Sequence, residues 1–394
     1  GFDPDYKFYG YQGERDIVSA FARQVWNATD QIAVTAELQA VTHRYGLTKE
    51  QKNGVNTQYN TIEGEVVGNG GDLFNVHYLF LNPRAGVNYN IDDNQNVLLS
   101  AAHTSREPRR NNLYAASDAW YSGGVPLFAV DTTGGATRYD FSAPIIKPET
   151  MLDIEAQYAW RSADFEASVT AYYMDFRNEL VKNGQRDIFG VPIEGNAPHT
   201  VHAGIEVQAA HEVFRSDAHD RQSQSSVANN RESDNITLWG NFSYSQNRIR
   251  DWQFASPSSD VAAIDLAGNP IAGFPDITAN VGVRATFAGL KIDLTAKYIG
   301  AFFTNSFGDV ATADAGYQQQ VLSAVGYLDN RVDAAFVLNA VIGYEFRSLG
   351  MFNTLRLKAM VNNVTNNLYI QGGNGQEFFP AAERNVFIMA EVEL

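Results

Sequence analysis

Alternation of apolar and polar residues recurs along most of the chain, whereas the helical spacing of apolar residues is scarce. From Leu152 to Trp160 every second residue is apolar, and the positions between them include Asp153 and Glu155. The same alternation covers the end of the chain, from Val386 to Leu394. Successive residues of a β-strand point to opposite faces, so each segment predicts a strand with one apolar and one polar face.

The length of these strands favours a membrane-spanning sheet. The alternating segments run for about ten residues or more, whereas strands of globular proteins average about five or six. Strands of about 9–11 residues, apolar outside and polar inside, are typical of transmembrane barrels. The aromatic residues at the predicted strand ends, which would lie at the membrane interfaces, are Trp26, Trp160, Phe214, Phe287, Tyr344 and Phe346. A soluble all-β protein with one solvated face stays open as an alternative.

The connections between the predicted strands alternate between short and long. Short turns are predicted at Asn27–Gln31, Asp92–Gln95, Arg161–Ala163, Ala288–Gly289 and Arg347–Met351. Long loops are predicted at about 47–73, 109–144, 182–198, 253–273, 305–326 and 371–383. Outer-membrane barrels have short periplasmic turns and long extracellular loops, and the count here is about thirteen strands. The last strand then runs inward, so that Leu394 ends on the periplasmic side.

One connection breaks this alternation. Residues 215–234 read RSDAHDRQSQSSVANNRESD where a short periplasmic turn is expected. A polar, Ser-rich stretch of this kind predicts disorder. We interpret it as a polar insertion in a periplasmic turn, either an ordinary insertion or a segment that interacts with a periplasmic partner.

Composition narrows the function classes further. The net charge is −16, which disfavours nucleic acid as a partner because phosphates require a basic surface. The chain has no cysteine, which excludes a disulfide scaffold, a thiolate metal site and a cysteine nucleophile. No apolar run approaches the roughly 18 residues of a transmembrane helix.

Several segments, in order along the chain, resemble the barrel of TonB-dependent outer-membrane receptors. NPRAGVNYNIDDNQNVLLSAAHTSREP (82–108) and IKPETMLDIEAQYAW (146–160) are similar to its strands, and so is AYYMDFRNELV followed by HTVHAGIEVQ. VNNVTNNLY (361–369) and ERNVFIMAEVEL (383–394) resemble the last two strands of that barrel. FYGYQGERDIVSAFARQVW and AELQAVTHRYG are similar to strands from the middle of the barrel.

The resemblance implies an all-β fold, a transmembrane antiparallel β-barrel. Residues 1–394 would form a single domain, the C-terminal portion of the barrel, with about thirteen of the 22 strands of this plugged-lumen class. The plug and the TonB box of this class are expected to be absent from these residues. The last strand would close the barrel by pairing with the first, and its apolar residues would face lipid.

The resemblance also implies a function. It indicates an outer-membrane TonB-dependent active transporter, integral to the outer membrane of a Gram-negative bacterium. The expected cargo is a ferric siderophore or a similar iron chelate, and carbohydrate or cobalamin remains open. The expected partners are this ligand, the TonB complex through the missing N-terminal plug, and outer-membrane lipid and lipopolysaccharide. No nucleic acid and no cofactor are expected.

Two other function classes are alternatives to active transport. A passive porin or channel remains an alternative, because it would show the same strands. An outer-membrane barrel enzyme would need a clustered nucleophile and base at the rim, and the sequence shows none. We therefore predict no catalytic residue and no metal site.

The candidate ligand-binding residues begin at the segment SREPRRNN. The parity of the strand before it places Arg106 on the lumen face near the outer rim, and Arg109 and Arg110 follow on the loop. Guanidinium groups match carboxylate oxygens bidentately, so three arginines in an acidic chain are candidates for binding an anionic chelate. The alternative is that they pair with carboxylates of the lumen or the plug.

The loop after these arginines is rich in aromatic residues. Tyr114, Trp120, Tyr121 and Phe128 would either stack on a sugar or catecholate or pack the loop itself. The segment HTVH contains two histidines, but no third metal ligand of recognisable spacing follows. We predict that these histidines are structural or solvated.

Overall fold

The computed structural model describes residues 8–116, 125–186, 192–216, 234–255, 263–349 and 352–393. Thirteen long strands dominate it. They are β1 (Tyr9–Asn27), β2 (Ile32–Lys52), β3 (Asp72–Asn90), β4 (Gln95–Arg106), β5 (Glu149–Arg161), β6 (Phe165–Arg186), β7 (Pro192–Arg215), β8 (Asn235–Asp251), β9 (Ile277–Phe287), β10 (Leu290–Ile299), β11 (Ala335–Leu349), β12 (Phe352–Asn362) and β13 (Asn385–Glu393).

Each long strand pairs with the next along the chain, and all twelve pairings are antiparallel. The predicted all-β antiparallel sheet and its count of thirteen strands are therefore confirmed. Within the described residues, β1 pairs only with β2, and β13 pairs only with β12. Closure of the barrel by the last strand stays a prediction.

The sheet has two chemically different faces. Ile154 of β5 lies opposite Ala101 of β4 and Tyr173 of β6, and its side chain is 48% exposed. We call this side the outer face. Exposed apolar residues follow it from β2 to β13: Leu38, Leu99, Leu152, Ile154, Val169, Ile205, Leu238, Val281, Leu294, Ile342, Leu357 and Ile388. An apolar surface of this extent is typical of contact with lipid or another apolar phase.

The opposite side, which we call the inner face, is polar. Asp153 and Glu155 lie on it, and the register places Arg84 and Ala102 in the same row as Asp153. The predicted interfacial aromatics lie near the short-turn ends of their strands, and all six are exposed: Trp26, Trp160, Phe214, Phe287, Tyr344 and Phe346.

Four of the five predicted short turns lie within a residue of the observed connections, which span 28–31, 91–94, 162–164 and 288–289. At the last of these, Ala288 and Gly289 both have positive φ angles, 50° and 91°. Two consecutive residues of positive φ match a type I′ turn, whose twist suits two antiparallel strands. The fifth turn is tighter than predicted, because β11 ends at Leu349 and β12 begins at Phe352.

The prediction of a long loop at 182–198 was wrong. Strands β6 and β7 continue through most of this segment, to Arg186 and from Pro192, and they pair as far as Arg186 opposite Pro192. The sequence of this segment lacks the apolar alternation that marks the other strands. Likewise, β2 continues to Lys52, beyond the predicted start of a loop at residue 47.

The predicted polar insertion at 215–234 falls almost wholly outside the described residues, since only Arg215, Ser216 and Asp234 belong to them. At its base the backbone N–H of Ser216 donates to the carbonyl of Asp234 at 2.8 Å, as in the closing of a hairpin. Leu394, predicted to face lipid, also lies outside the described residues.

Short elements fill the long connections. The short strands are Val55–Asn56, Gln58–Thr61, Val66–Gly68, Tyr114–Ala115, Val125–Pro126, Phe128–Asp131, Arg138–Pro144, Gln253–Phe254, Ile264–Asp265, Phe302–Phe303, Arg331–Val332, Ile370–Asn374 and Glu377–Pro380. Single 3-10 turns occur at Arg110–Asn112, Thr133–Gly135 and Val310–Thr312. One α-helix, α1 (Ala315–Val325), completes the described elements. No described helix is long and apolar enough to cross a membrane, a finding that concerns helices alone.

Two groups of loops fold into separate lobes. Lobe A comprises residues 53–71, 107–116 and 125–148 with the adjoining ends of β1–β3. Four short strands form a sheet of its own there, and its buried core is Tyr45, Leu47, Leu73, Phe74, Val76, Leu113, Tyr114 and Phe128. This aromatic core covers the inner face of the sheet near the loop ends of β2 and β3.

Lobe B comprises residues 252–255, 263–276 and 300–334 with the adjoining ends of β6–β8. Its buried core is Val181, Ala197, Ile249, Trp252, Phe254, Ile264, Leu266, Ile271, Phe307, Val310, Val321 and Ala324. Helix α1 begins at the N-cap Asp314 and ends at Gly326, whose φ of 82° is the left-handed conformation that favours glycine.

Candidate functional site

Arg106 ends β4 on the inner face, as its parity predicted. It lies opposite Glu149 of β5, and its Nη2 is 2.8 Å from Glu149 Oε2. Glu149 also accepts the backbone N–H of Leu180 at 2.7 Å, which fixes the carboxylate in place. Half of the Arg106 side chain is nevertheless exposed (50%), so the guanidinium is paired on one side and open on the other.

Arg110 reaches back onto β1. Its guanidinium lies over the ring of Tyr11, with 5.6 Å between Cζ and the ring centroid. Its Nη1 lies 3.5 Å from the point where a Cβ of Gly13 would be, and Gly13 is on the inner face. Arg110 therefore lies against the inner face of β1 beside an aromatic ring, an arrangement typical of cation–π contact.

Arg109 has a local structural role. It precedes the 3-10 turn Arg110–Asn112, and its backbone N–H donates to Asn112 Oδ1 at 3.0 Å. The three arginines that the sequence grouped together thus diverge, one to β5 and one to β1, while the third begins the turn between them.

A fourth arginine, which sequence reasoning missed, joins this region. Arg15 of β1 lies on the inner face opposite Tyr45, and its Nη2 is 2.6 Å from Glu107 Oε1. The same oxygen accepts the Tyr45 hydroxyl at 3.0 Å and lies 3.0 Å from His43 Nδ1. Glu107 stands inside the motif SREPRRNN, so it was visible in the sequence, but its partner Arg15 is 92 residues away.

The predicted aromatic residues have mixed positions. Tyr114 and Phe128 are each 1% exposed and belong to the core of lobe A, so they pack the loop and present no free ring. Trp120 and Tyr121 lie outside the described residues. Of the two uses proposed for these residues, the packing of the loop is the one observed for Tyr114 and Phe128.

Lobe A is centred on a buried carboxylate. Glu50 is 2% exposed, and its carboxylate accepts hydroxyl groups of Tyr59 at 3.3 Å and Thr57 at 2.5 Å. The hydroxyl of Tyr114 donates to the same carboxylate, and that of Tyr9 approaches it at 3.5 Å. A buried charge needs several hydrogen bonds to offset its lost hydration, and here neutral hydroxyls supply them.

The tyrosines of this cluster stay protonated. Burial, followed by the proximity of Glu50, raises the pKa of Tyr59 well above its ordinary value. Burial and the hydrogen bond to Glu50 likewise raise the pKa of Tyr114. Both phenols therefore remain donors to the carboxylate throughout the physiological range.

The two histidines of HTVH point to opposite faces of β7 and have separate partners. His199 Nε2 lies 2.8 Å from Asp175 Oδ2 on the outer side. His202 is 6% exposed on the inner side, between Asn247 at 2.7 Å and Glu179 at 3.2 Å. In the part of the chain that the structure describes, no three His, Asp or Glu side chains are grouped to hold a metal ion.

The inner face towards the short turns forms a polar trough of about 1010 Å³. Its wall carries Gln157, Ser168, Gln208, Trp239, Asn241 and Arg284. Arg284 lies 5.0 Å above the ring of Trp239 and pairs with Asp293 at 3.1 Å. The trough thus offers amide, hydroxyl and aromatic groups for contact with a polar segment or solute.

Residues 1–364 match the family described as TonB dependent receptor-like, beta-barrel. No curated protein matches the chain.

Solved structures of similar fold include three transporters. The FrpB iron transporter from Neisseria meningitidis has a TM-score of 0.58 at 17% identity, covering 96% of this chain and 46% of that one. The ferric-catecholate import receptor Fiu from E. coli K12 has a TM-score of 0.57 at 12% identity, covering 96% and 45%. The copper transporter OprC has a TM-score of 0.59 at 12% identity, covering 95% and 49%. The chain thus spans less than half the length of the solved structures it matches.

Proposed function

This chain belongs to the TonB dependent receptor-like β-barrel family, and from that membership we propose that it forms part of the wall of an outer-membrane active transporter. The observation that carries the proposal is the family match over residues 1–364, together with an antiparallel sheet that is apolar outside and polar inside. The transporter would capture a scarce solute at its loops and release it to the periplasm, using energy delivered by the TonB complex.

We propose a ferric siderophore or a similar iron chelate as the cargo. The half-exposed guanidinium of Arg106 and the exposed Arg110 and Arg109 support this, because they face or border the inner side in a chain of net charge −16. Several proteins of similar fold, among them FrpB and Fiu, are named for iron or ferric cargo. Carbohydrate, cobalamin and passive diffusion are the alternatives that the experiment must separate.

The test is uptake in cells that carry the natural protein or a deletion of its gene. Radioactive iron would be supplied as a panel of ferric chelates, and labelled cobalamin and oligosaccharides would be supplied in parallel. We expect uptake of an iron chelate that needs both the protein and TonB. Uptake that persists without TonB would favour a channel, and uptake of only cobalamin or sugar would replace the cargo proposal.

We also propose that the outer face contacts outer-membrane lipid and lipopolysaccharide. A charge on the lipid face of such a barrel costs about 2–4 kcal/mol at the bilayer midplane, whereas lumen positions tolerate charge. Ile154→Arg should therefore impair folding into bilayers far more than Glu155→Arg, its neighbour on the inner face. Equal effects of the two substitutions would contradict a membrane-spanning β5.

A further inference from the structure

Arg15, Arg106 and Arg110 form a shelf of guanidinium groups on the inner face beside lobe A. Arg15 and Arg106 are 51% and 50% exposed in their side chains, and Arg110 is also exposed. Arg15 pairs with Glu107, and Arg106 pairs with Glu149. The three arginines and the two glutamates together carry a net positive charge, although the chain as a whole is strongly acidic. This charge favours an anion at the shelf.

The two carboxylates of the shelf differ in what surrounds them. Glu149 lies on β5 and accepts a backbone N–H as well as Arg106, so it belongs to the fixed wall. Glu107 lies just beyond the end of β4, in the connection to lobe A, and its side chain is 11% exposed beneath Arg15. A single oxygen of Glu107 takes the contacts with Arg15, Tyr45 and His43.

Arg15 is thus held from below by Glu107 while about half of it faces the lumen. A guanidinium has five N–H donors, so it can bind a second carboxylate on its open edge. Arg110 lies over Gly13, two residues from Arg15 on the same face of β1, so it places a second guanidinium on the same stretch of the inner face. An anion bound there would lie near two cations, Arg15 and Arg110, and near the carboxylate of Glu107, which competes with it for Arg15.

We infer that Arg15 and Arg110 form the carboxylate-binding subsite of the shelf and that Glu107 is an internal carboxylate that limits its affinity. The inference rests on the proposed function, because it names the residues that would select an anionic cargo. Glu107 keeps Arg15 in position and also partly neutralises it, so anionic cargo binds less tightly than the bare arginines would allow. Such an arrangement favours release as well as capture.

Glu107→Gln separates these two effects. The amide oxygen still accepts from Arg15 and Tyr45, whereas the negative charge is removed. A unit charge about 5 Å from the bound anion changes its affinity by roughly tenfold or more at the effective dielectric constants of protein surfaces. We therefore expect E107Q to bind ferric citrate, a small anionic chelate, about tenfold more tightly than the natural protein.

The measurement is equilibrium binding of ferric citrate to the natural full-length protein and its variants in detergent. The E107Q gain should shrink as salt is raised, because the effect is electrostatic. Adding Arg15→Gln to E107Q should remove the gain. Unchanged or weaker binding by E107Q, or the absence of any binding, would overturn the inference, because a merely structural Glu107 predicts no gain.

Glu37→Gln is the matched control. Glu37 of β2 pairs with Arg23 of β1 at 3.1 Å on the inner face, away from the shelf, and both are part-exposed. This substitution removes the same charge and should leave ferric citrate binding unchanged. Binding to purified protein needs neither TonB nor transport, so this inference and the proposed function can fail separately.

Discussion

Lobes A and B are formed by connections of the same sheet, but different interactions stabilise them. Lobe A has an aromatic core around the buried carboxylate of Glu50, to which hydroxyls of Tyr59, Tyr114 and Thr57 donate. Lobe B has a larger, mostly aliphatic core, a helix, and a buried amide network. In that network Asn330 Nδ2 donates to Asn305 Oδ1 at 2.7 Å and to the carbonyl of Gly308 at 2.8 Å.

The difference concerns how stability is distributed. The burial of apolar side chains in lobe B is spread over many residues, so no one of them decides whether the lobe forms. In lobe A one charged group joins three segments that are distant in sequence, so the loss of that group leaves several buried hydroxyls without an acceptor. Lobe A is also the lobe beside the arginine shelf, so its opening would disturb the proposed binding site.

The largest effect should come from Glu50→Ala. It would leave the hydroxyls of Tyr59 and Tyr114 buried without this acceptor, at about 1–3 kcal/mol for each. We expect lobe A to lose roughly 3 kcal/mol or more of local stability, while lobe B is unchanged. Hydrogen exchange of the amides in 57–68, compared with those in 302–332, measures the two lobes separately. Glu50→Gln, which keeps one acceptor oxygen, should lose less local stability than Glu50→Ala. Equal protection in the natural protein and in both variants would contradict the role assigned to Glu50.

Alkaline pH should destabilise lobe A more than lobe B, but the difference between the lobes should be smaller than for Glu50→Ala. The raised pKa of Tyr59 and Tyr114 means that these phenols stay protonated in folded lobe A, while unfolded phenols lose their protons near pH 10. Their contribution is therefore complete below about pH 10 and is lost as pH rises further. Among the described residues of lobe B, burial raises the pKa of Tyr317, so the same effect is expected to be smaller there.

Limited proteolysis between pH 8 and pH 11 checks this expectation. Cleavage within lobe A should appear at a lower pH than cleavage within lobe B. Tyr59→Phe removes one of the phenols that must stay protonated in folded lobe A. Relative to its own cleavage at pH 8, the variant should therefore show alkaline cleavage of lobe A at a higher pH than the natural protein. First cleavage in lobe B would show that the tyrosines around Glu50 do not set the alkaline limit.

An intermediate effect is expected in lobe B from Asn330→Ala. Asn330 is 2% exposed, and the change removes both of its side-chain hydrogen bonds. Asn305 Oδ1 still accepts the backbone N–H of Phe307, so the cost should be about 2 kcal/mol. Exchange should increase in 302–332 and not in lobe A. Gln319→Ala, on the exposed side of α1, is the control and should change neither lobe.

The smallest predicted effect concerns the start of α1. Asp314 Oδ1 accepts the backbone N–H groups of Gly316 at 2.9 Å and Tyr317 at 3.1 Å. Loss of such a cap costs about 1 kcal/mol, so Asp314→Ala should destabilise only the helix within lobe B. Asp314→Asn should keep most of the amide protection in the first turn of α1 that Asp314→Ala loses. If it does not, the effect comes from the charge of Asp314 rather than from capping.

The strands could be predicted because alternation reports directly on two chemically different sides. In β5 the apolar series through Ile154 and the polar series through Glu155 identified both the strand and its faces. The same signal failed for 182–198, where β6 and β7 continue to pair although the sequence does not alternate. Alternation therefore marks the part of a strand that has an apolar side and misses its extension.

The lobes and the shelf could be predicted only in part. Strand parity correctly placed Arg106 on the inner face. The contacts of Glu50 with Tyr114 join residues 64 apart, and those of Glu107 with Arg15 join residues 92 apart. No local pattern encodes such pairs, because they depend on how the loops fold back over the sheet.

The central claim is that the sheet has one face to lipid and one to the lumen, and a cysteine scan along β5 tests it most directly. The 394 residues of this chain contain no cysteine, so an introduced cysteine is the only one within them. In the natural protein in membranes, a fluorophore at residues 153, 154, 155 or 156 would be exposed to lipid-attached quenchers. We expect strong quenching at Ile154 and Ala156 and weak quenching at Asp153 and Glu155. Uniform quenching, or none at any of the four positions, would contradict the claim.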